Sequence, residues 1–146
     1  MTTPAAQALR PLREDLFSTD SQGLPVALQG TRCAQCARVF FPSRQLCSHC
    51  WTSARMLTHR LCAHGVVHAS TVVHVPSALG HTAPYAYGYV DLSTDATRIF
   101  APFSGAPLHV FVPGLKVRLA LGQIPAASLA GVLGYSFTPD EPYRHD

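Results

Sequence analysis

Charged residues are scarce in this chain, and lysine is nearly absent. Asp, Glu, Lys and Arg make up 13% of the 146 residues, and Lys116 is the single lysine. In globular domains, charged residues usually make up about a quarter of the chain. The formal net charge of +3 is weak for a general nucleic-acid binder, which shows a strong basic stripe. A surface this poor in charge favours coverage by a partner protein.

Long apolar runs are also missing. No stretch reaches the length that spans a bilayer, and the first residues lack the apolar core of a signal peptide. We therefore expect a cytoplasmic protein without a membrane partner. In that compartment thiols stay reduced, so cysteines bind metal rather than form disulfides.

Recognisable catalytic motifs are absent as well. Eight histidines are present, but no Gly-x-Ser-x-Gly elbow, phosphate-binding glycine loop or His-Glu-x-x-His pair accompanies them. A Cys62–His64 dyad is imaginable, yet these residues need not face a common substrate. Asp91 and Asp95 lie too close to a turn to count as an acid/base pair. We expect no catalytic residue and no activity of the chain alone.

What the chain does have is two cysteine pairs with matching spacing. Each is a Cys-x-x-Cys knuckle that presents two sulfurs to one ion, and a hairpin-length insert separates them. Four thiolates fill the tetrahedral positions that zinc prefers and leave none for substrate, so the site is expected to be structural. The predicted ligands are Cys33, Cys36, Cys47 and Cys50.

Two alternatives to this zinc site remain open. Iron in a rubredoxin-like site is one, although Ala37 and Trp51 stand where glycine is expected after each pair. His49 is a second, because it could compete as a ligand. Cys62, the fifth cysteine, is interpreted as a small buried apolar residue.

The chain divides into four segments. We predict a helical leader over residues 1–28, a zinc ribbon over 29–55, a barrel over 56–139 and a polar tail over 140–146. The apolar spacing from Ala5 to Phe17 predicts helix, broken near Pro11. Five runs with Gly/Pro punctuation predict the strands of a small barrel: Gly65–His74, Tyr85–Asp91, Arg98–Phe103, Lys116–Leu121 and Val132–Thr138. Gly88 inside a strand predicts a bulge or a close backbone approach.

The order of these parts resembles a known family. The ribbon GTRCAQCARVFFPSRQLCSHC, followed by PYAYGYVDL and VPGLKVRLAL, is similar to the zinc-ribbon/OB-fold family associated with acyl-CoA enzymes. The resemblance covers nearly the whole chain and implies a mainly β fold with a rubredoxin-like zinc ribbon and a five-stranded OB-fold barrel. Ala37 and Ser43 depart from the family pattern without removing a metal ligand.

The resemblance also implies a function. Members are small, non-catalytic partners of thiolases, of thiolase-like synthases or of acyl-CoA hydratases, and the catalytic groups belong to the large subunit. The resemblance therefore implies a non-catalytic, zinc-containing small subunit of a thiolase-type acyl-CoA-processing complex. In this hetero-oligomer the chain supports the thiolase-like catalytic subunit and helps to bind the coenzyme A ester. Arginine forks suit phosphate and aromatic faces suit adenine, so the candidate CoA contacts are Arg32, Arg38, Phe40, Phe41 and Arg44.

Other interpretations remain open from the residues. The arginines around the ribbon are either a phosphate-binding patch or ordinary solvated charge. A ribbon followed by an OB barrel could grip single-stranded nucleic acid, although the low charge disfavours this. A partner of the hydratase or polyketide-type acyltransferase class is a further alternative. The third class of function is a stand-alone enzyme, namely a free-standing thioesterase or hydratase.

Overall fold

The fold is mainly β, as predicted. A computed structural model describes residues 9–144, which contain three single-turn 3-10 helices (Glu14–Leu16, Leu108–Val110 and Ala127–Leu129) and no α-helix. In the same residues, no helix is long and apolar enough to cross a membrane. The strands are, in chain order, β1 Arg10–Pro11, β2 Phe17–Thr19, β3 Pro25–Cys33, β4 Val39–Phe40, β5 Met56–Arg60, β6 His64–Val73, β7 Tyr85–Leu92, β8 Arg98–Pro102, β9 Lys116–Gln123 and β10 Val132–Pro139.

The second half of the chain forms an OB-fold-like barrel. Its five strands are antiparallel neighbours in the order β10-β9-β6-β7-β8. A parallel bridge between Phe103 and Phe137 joins the two ends and closes the ring. Alternate residues point inward, so Val90, Val117 and Phe137 are completely buried. The predicted barrel strands are thus confirmed.

The β6–β7 pair contains one irregularity that the sequence anticipated. The register shifts between Val67 and Ala69, which leaves His68 as the extra residue of a bulge. Opposite this point, a Cβ added to Gly88 would lie 1.9 Å from the carbonyl oxygen of Ala69. Glycine is therefore required for the two backbones to approach this closely.

The helical leader is the part of the fold prediction that is wrong. Residues 9–17 form β1, one 3-10 turn and the start of β2, while residues 1–8 lie outside the described part of the chain. Leu16 and Phe17 are consecutive and both buried, at 5% and 4% exposure. A one-sided surface helix would bury residues three or four apart instead. Pairing of β1 with β10 and of β2 with β3 supplies the backbone partners that a helix would have made internally.

The ribbon is a small sheet built around β3. This strand pairs with β2 in its first half and with β4 and β5 in its second half. It crosses residue 28, where the sequence placed the end of the leader. Leu16, Phe17, Leu28 and Leu61 belong to the same hydrophobic core as the barrel residues. Leader, ribbon and barrel consequently share one core.

Candidate metal centre and its surroundings

Two tight turns form the knuckles that carry the four cysteines. The N–H of Ala37 donates to the carbonyl of Cys33 over 2.8 Å, and the N–H of Trp51 donates to the carbonyl of Cys47 over 2.8 Å. Both turns end in the left-handed region, with φ of 63° at Ala37 and 55° at Trp51. These are the two positions at which the sequence analysis expected glycine, and non-glycine residues there are strained.

The knuckles bring the four sulfurs together in a geometry that fits zinc. All four lie within 4.8 Å of one another, and those of Cys36 and Cys47 are 3.6 Å apart. A tetrahedral ion with Zn–S bonds of about 2.3 Å holds its sulfurs about 3.8 Å apart. Cys33 and Cys47 are fully buried, whereas His49 is exposed and lies outside this group. The arrangement supports a structural zinc ion.

The protein environment gives the thiols of this centre different acidities before any metal binds. Burial opposes ionisation of Cys47, yet the backbone N–H groups of Cys50 and His49 lower its pKa to about 7. Burial, together with the hydrogen bond and charge of Cys36, raises the pKa of Cys50 to about 12. Zinc binds thiolates, so loading the site releases protons and weakens as the pH falls.

The five candidate CoA contacts do not form one cluster. The guanidinium of Arg44 lies over the ring of Phe40, 5.5 Å from its centroid, and the backbone N–H of Arg44 donates to Thr31 Oγ1 over 3.0 Å. Phe41 is half-buried and meets the ring of Tyr135 edge-on at 5.6 Å. The structure therefore brings Phe40 and Arg44 together, while Phe41 packs toward the barrel.

Arg32 and Arg38 are exposed on either side of Cys33. Arg38 contributes its carbonyl to the knuckle by accepting from the N–H of Cys33 over 2.9 Å. Within residues 9–144, neither of these side chains nor that of Arg44 forms an ion pair. Their charges are available to an anion from outside the described chain.

One buried polar contact was missed by the sequence analysis. The Asp95 carboxylate is 8% exposed and accepts hydrogen bonds from His59 Nε2 at 2.7 Å and the Cys62 N–H at 2.6 Å. His59 lies on β5 of the ribbon and Asp95 in the β7–β8 turn, so this contact ties ribbon to barrel. The wide separation of the two residues in sequence left no local pattern that could have revealed it.

The imagined Cys62–His64 dyad does not form. Cys62 Sγ lies 3.4 Å from both the backbone N and O of His64, so the thiol contacts the peptide and not the imidazole. His64 Nδ1 instead lies 3.1 Å from Asp140 Oδ1. His68, the bulged residue, lies 3.2 Å from the Asp91 carboxylate.

Comparison with known proteins identifies both parts of the chain. Residues 25–54 match the family model described as the ChsH2 rubredoxin-like zinc ribbon domain, and residues 58–122 match that of the ChsH2 C-terminal OB-fold domain. A DUF35 domain-containing scaffold protein of Methanocaldococcus jannaschii is 32% identical over 117 residues, covering 78% of this chain and 82% of that protein. A protein of the same description from Methanothermobacter thermautotrophicus is 27% identical over 111 residues, covering 75% and 83%.

Solved structures with a similar fold exist as well. The fold is similar to a chain of the Ltp2-ChsH2(DUF35) aldolase, with a TM-score of 0.63, 26% identity and coverage of 77% of this chain and 84% of that one. A DUF35-family protein of unknown function from Sulfolobus solfataricus shares the fold at a TM-score of 0.50 and 17% identity, covering 77% and 75%. The chain belongs to the DUF35 family and combines a ChsH2-type zinc ribbon with a ChsH2-type OB-fold domain.

Proposed function

We propose that this chain is a non-catalytic, zinc-containing accessory subunit of an acyl-CoA-processing complex in which a thiolase-type partner carries out the chemistry. Two relatives are described as scaffold proteins, and a similar solved structure is an aldolase that pairs Ltp2 with a ChsH2 DUF35 chain. The proposed location is the cytoplasm, because the four thiols must stay reduced to bind zinc.

The observation that carries this proposal is the exposure of Trp51 on the second zinc knuckle. Its side chain is 76% exposed, although tryptophan is a large apolar residue that is enriched at the energetic centres of protein interfaces. Its left-handed backbone, with φ of 55°, is strained for any residue other than glycine. Leu46 and Leu57 of the ribbon are also exposed, at 43% and 57%. A partner that covers these side chains accounts for their exposure.

The first experiment is purification of the tagged chain from its host, followed by mass spectrometry and measurement of binding to the subunit that co-purifies. Trp51→Gly should weaken that binding at least about 30-fold, as loss of an interface hot spot of about 2 kcal/mol does. Glycine also relieves the backbone strain at this position, so the weaker binding will not come from unfolding.

Val112→Ser is the matched control, because Val112 is 54% exposed on the barrel. Unchanged binding by Trp51→Gly would contradict the role given to the ribbon. Co-purification of a hydratase or a polyketide-type acyltransferase would replace the thiolase as the partner, and a chain recovered alone would overturn the accessory function.

We further propose that the ribbon contributes to binding of the CoA ester by the complex. The Arg44 guanidinium already lies over the Phe40 ring, which presents a guanidinium fork beside an aromatic group. Arg32 and Arg38 add unpaired positive charge near the same hairpin. This combination suits a ligand that carries both phosphates and an adenine ring. For Phe41, CoA contact stays a prediction alongside its packing against Tyr135.

Substitution of Arg44 tests this role. Arg44→Ala should lower the affinity of the complex for the CoA ester by about tenfold, the loss expected for one charge-assisted hydrogen bond, while zinc content stays unchanged. Arg118→Ala on β9 is the control for removal of one positive charge. Equal affinities for wild type and Arg44→Ala would refute the contact.

Single-stranded nucleic acid is the second candidate, because β7 and β8 carry exposed aromatic rings. Tyr89 and Phe100 are each 48% exposed and their ring centroids are 5.8 Å apart. The neighbouring cation, Arg98, is bound to Asp91 at 2.6 Å, which weakens the case for phosphate binding there. Micromolar oligonucleotide binding that falls steeply with salt would support this candidate.

A further inference from the structure

The barrel carries a pocket that no part of the proposed function uses. It encloses about 610 Å³ between β7, β8, the β9–β10 hairpin and the loop over residues 74–84. Much of its wall is aromatic or aliphatic. We call this cavity the barrel pocket and define it by Tyr85, Tyr87, Phe103, Leu121, Ile124 and Tyr135. Its volume lies within the range of small-molecule sites, about 300–1,000 Å³.

The charge of the wall restricts what the barrel pocket can hold. No Asp, Glu, Lys or Arg is among the described residues that line it. Burying a phosphate or carboxylate there would cost several kilocalories per mole without a compensating partner. The pocket therefore suits a neutral group.

Three rings of the wall lie next to one another. His81 packs on Tyr85 at 5.3 Å with an interplanar angle of 32°, and the Tyr85 and Tyr87 rings are 6.4 Å apart. Such faces favour offset stacking with a flat ring. A ring-bearing ligand thus complements the wall better than an extended alkyl chain does.

Most polar groups around the pocket already have partners. Ser77 Oγ lies 2.9 Å from His81 Nδ1, Ser104 and Ser136 bond each other at 2.7 Å, and the Tyr135 hydroxyl donates to the Phe100 carbonyl over 3.0 Å. The hydroxyls of the half-buried residues Tyr85 and Tyr87, by contrast, have no hydrogen-bond partner among residues 9–144, and neither is fully buried. They are left to bond with an oxygen of a ligand.

We propose that the barrel pocket binds a neutral, ring-bearing group with one hydroxyl or keto oxygen. The ring lies against Tyr85 and Tyr87, and its oxygen bonds one of their hydroxyls. Two sources have this chemistry, a free ring compound and the acyl group of a CoA ester. The second source is near the ribbon hairpin, because Phe41 packs against Tyr135 of the pocket wall.

The test uses the isolated full chain loaded with zinc, so its outcome is independent of any partner. Titration with 2-naphthol should give saturable binding with Kd on the order of 100 µM, which is ordinary efficiency for a ligand of this size. Naphthalene-2-sulfonate, an anion of the same ring size, should bind at least tenfold more weakly, and so should acyclic 1-decanol.

Gly122 is a position in the pocket wall that has room for a larger side chain. It lines the pocket, and a Cβ added there meets no atom within 4 Å. Gly122→Phe should abolish 2-naphthol binding, whereas Gly122→Ala should retain it. If Gly122→Phe does not fold, the double variant Tyr85→Phe/Tyr87→Phe tests the hydroxyl contact instead, because it should weaken binding of 2-naphthol relative to naphthalene.

The two sources are separated by titration with 2-naphthoyl-CoA and with CoA. Binding of the thioester that Gly122→Phe blocks, with CoA unaffected by that change, assigns the pocket to the acyl group. Binding of 2-naphthol but not of the thioester assigns it to free compounds. No saturable 2-naphthol binding below about 1 mM, equal binding of the sulfonate, or indifference to both Gly122→Phe and the double variant Tyr85→Phe/Tyr87→Phe would overturn the proposal.

Discussion

At the residue scale, the two zinc knuckles use side chains where the backbone favours glycine. Ala37 and Trp51 both have positive φ, at 63° and 55°, and both N–H groups close the turn that positions a cysteine pair. The cost of about 1–2 kcal/mol for each is tolerated because metal ligation holds the turn. The two residues differ in their side chains, since alanine is small whereas the large tryptophan ring is exposed.

Ala37→Gly should stabilise the zinc-loaded chain. Removal of the left-handed strain outweighs the greater flexibility of glycine in the unfolded chain, so the free energy of unfolding should rise by up to about 1 kcal/mol. Denaturant unfolding measures the change. Ala34→Gly, in the same turn but without a positive φ, should give no gain, and an equal loss in both variants would contradict the strain argument.

Cys33→Ser should release zinc and unfold the ribbon. Cys33 is fully buried in the sulfur cluster, and much of the folding energy of such a module is metal-binding energy. Metal analysis of the purified variant, with circular dichroism, measures both effects. Cys62→Ser is the control and should keep about one zinc per chain, because Cys62 lies outside the cluster. Stoichiometric zinc in Cys33→Ser would show that the ligand set is wrong.

At the element scale, one buried carboxylate joins the ribbon to the barrel. Asp95 lies in the turn between β7 and β8, yet both of its hydrogen-bond partners belong to the segment that leaves the ribbon, β5 and Cys62. A buried carboxylate is stable only when such donors satisfy it. The contact therefore helps to set where the ribbon lies on the barrel.

Asp95→Ala should lower the free energy of unfolding by about 2–3 kcal/mol, because it leaves the half-buried Cys62 N–H without its acceptor and removes the His59 contact. Thermal or denaturant unfolding measures this loss. His59→Ala should cost less, since Asp95 keeps the Cys62 N–H. Thr94→Ala, at an exposed neighbouring position, should change stability little. If Asp95→Ala loses no more stability than Thr94→Ala, the Asp95 contact does not hold the ribbon and the barrel together.

At the scale of the whole molecule, leader, ribbon and barrel are not independent units. Leu16 and Phe17 of the leader and Leu28 of the ribbon are buried in the same core as Val117 and Phe137 of the barrel. Residues that share a core unfold together when their contacts are lost. The zinc ion is thus expected to stabilise the barrel as well as the ribbon.

Zinc removal should therefore destabilise the entire chain in one transition. With a chelator present, the Tm should fall by about 10 °C or more, which corresponds to loss of only about 3 kcal/mol in a domain of this size. Calorimetry of loaded and chelated protein makes the comparison, and re-addition of zinc is the control. Two separate transitions, with that of the barrel unchanged, would contradict the shared core.

The amino-acid sequence by itself determined the elements whose signals are local. Paired Cys-x-x-Cys spacing indicated the four residues that the structure brings together, and period-two alternation between Gly/Pro turns predicted the barrel strands. Gly88 indicated the close backbone approach, because glycine alone fits there.

Only the tertiary structure decided the features that depend on distant residues. The leader became extended because β10 and β3 offered pairing partners that helix periodicity cannot register. Closure through Phe103 and Phe137, the burial of Asp95 and the barrel pocket likewise join segments far apart in the chain. No local pattern encodes such contacts, since they arise when one shared core selects which surfaces meet.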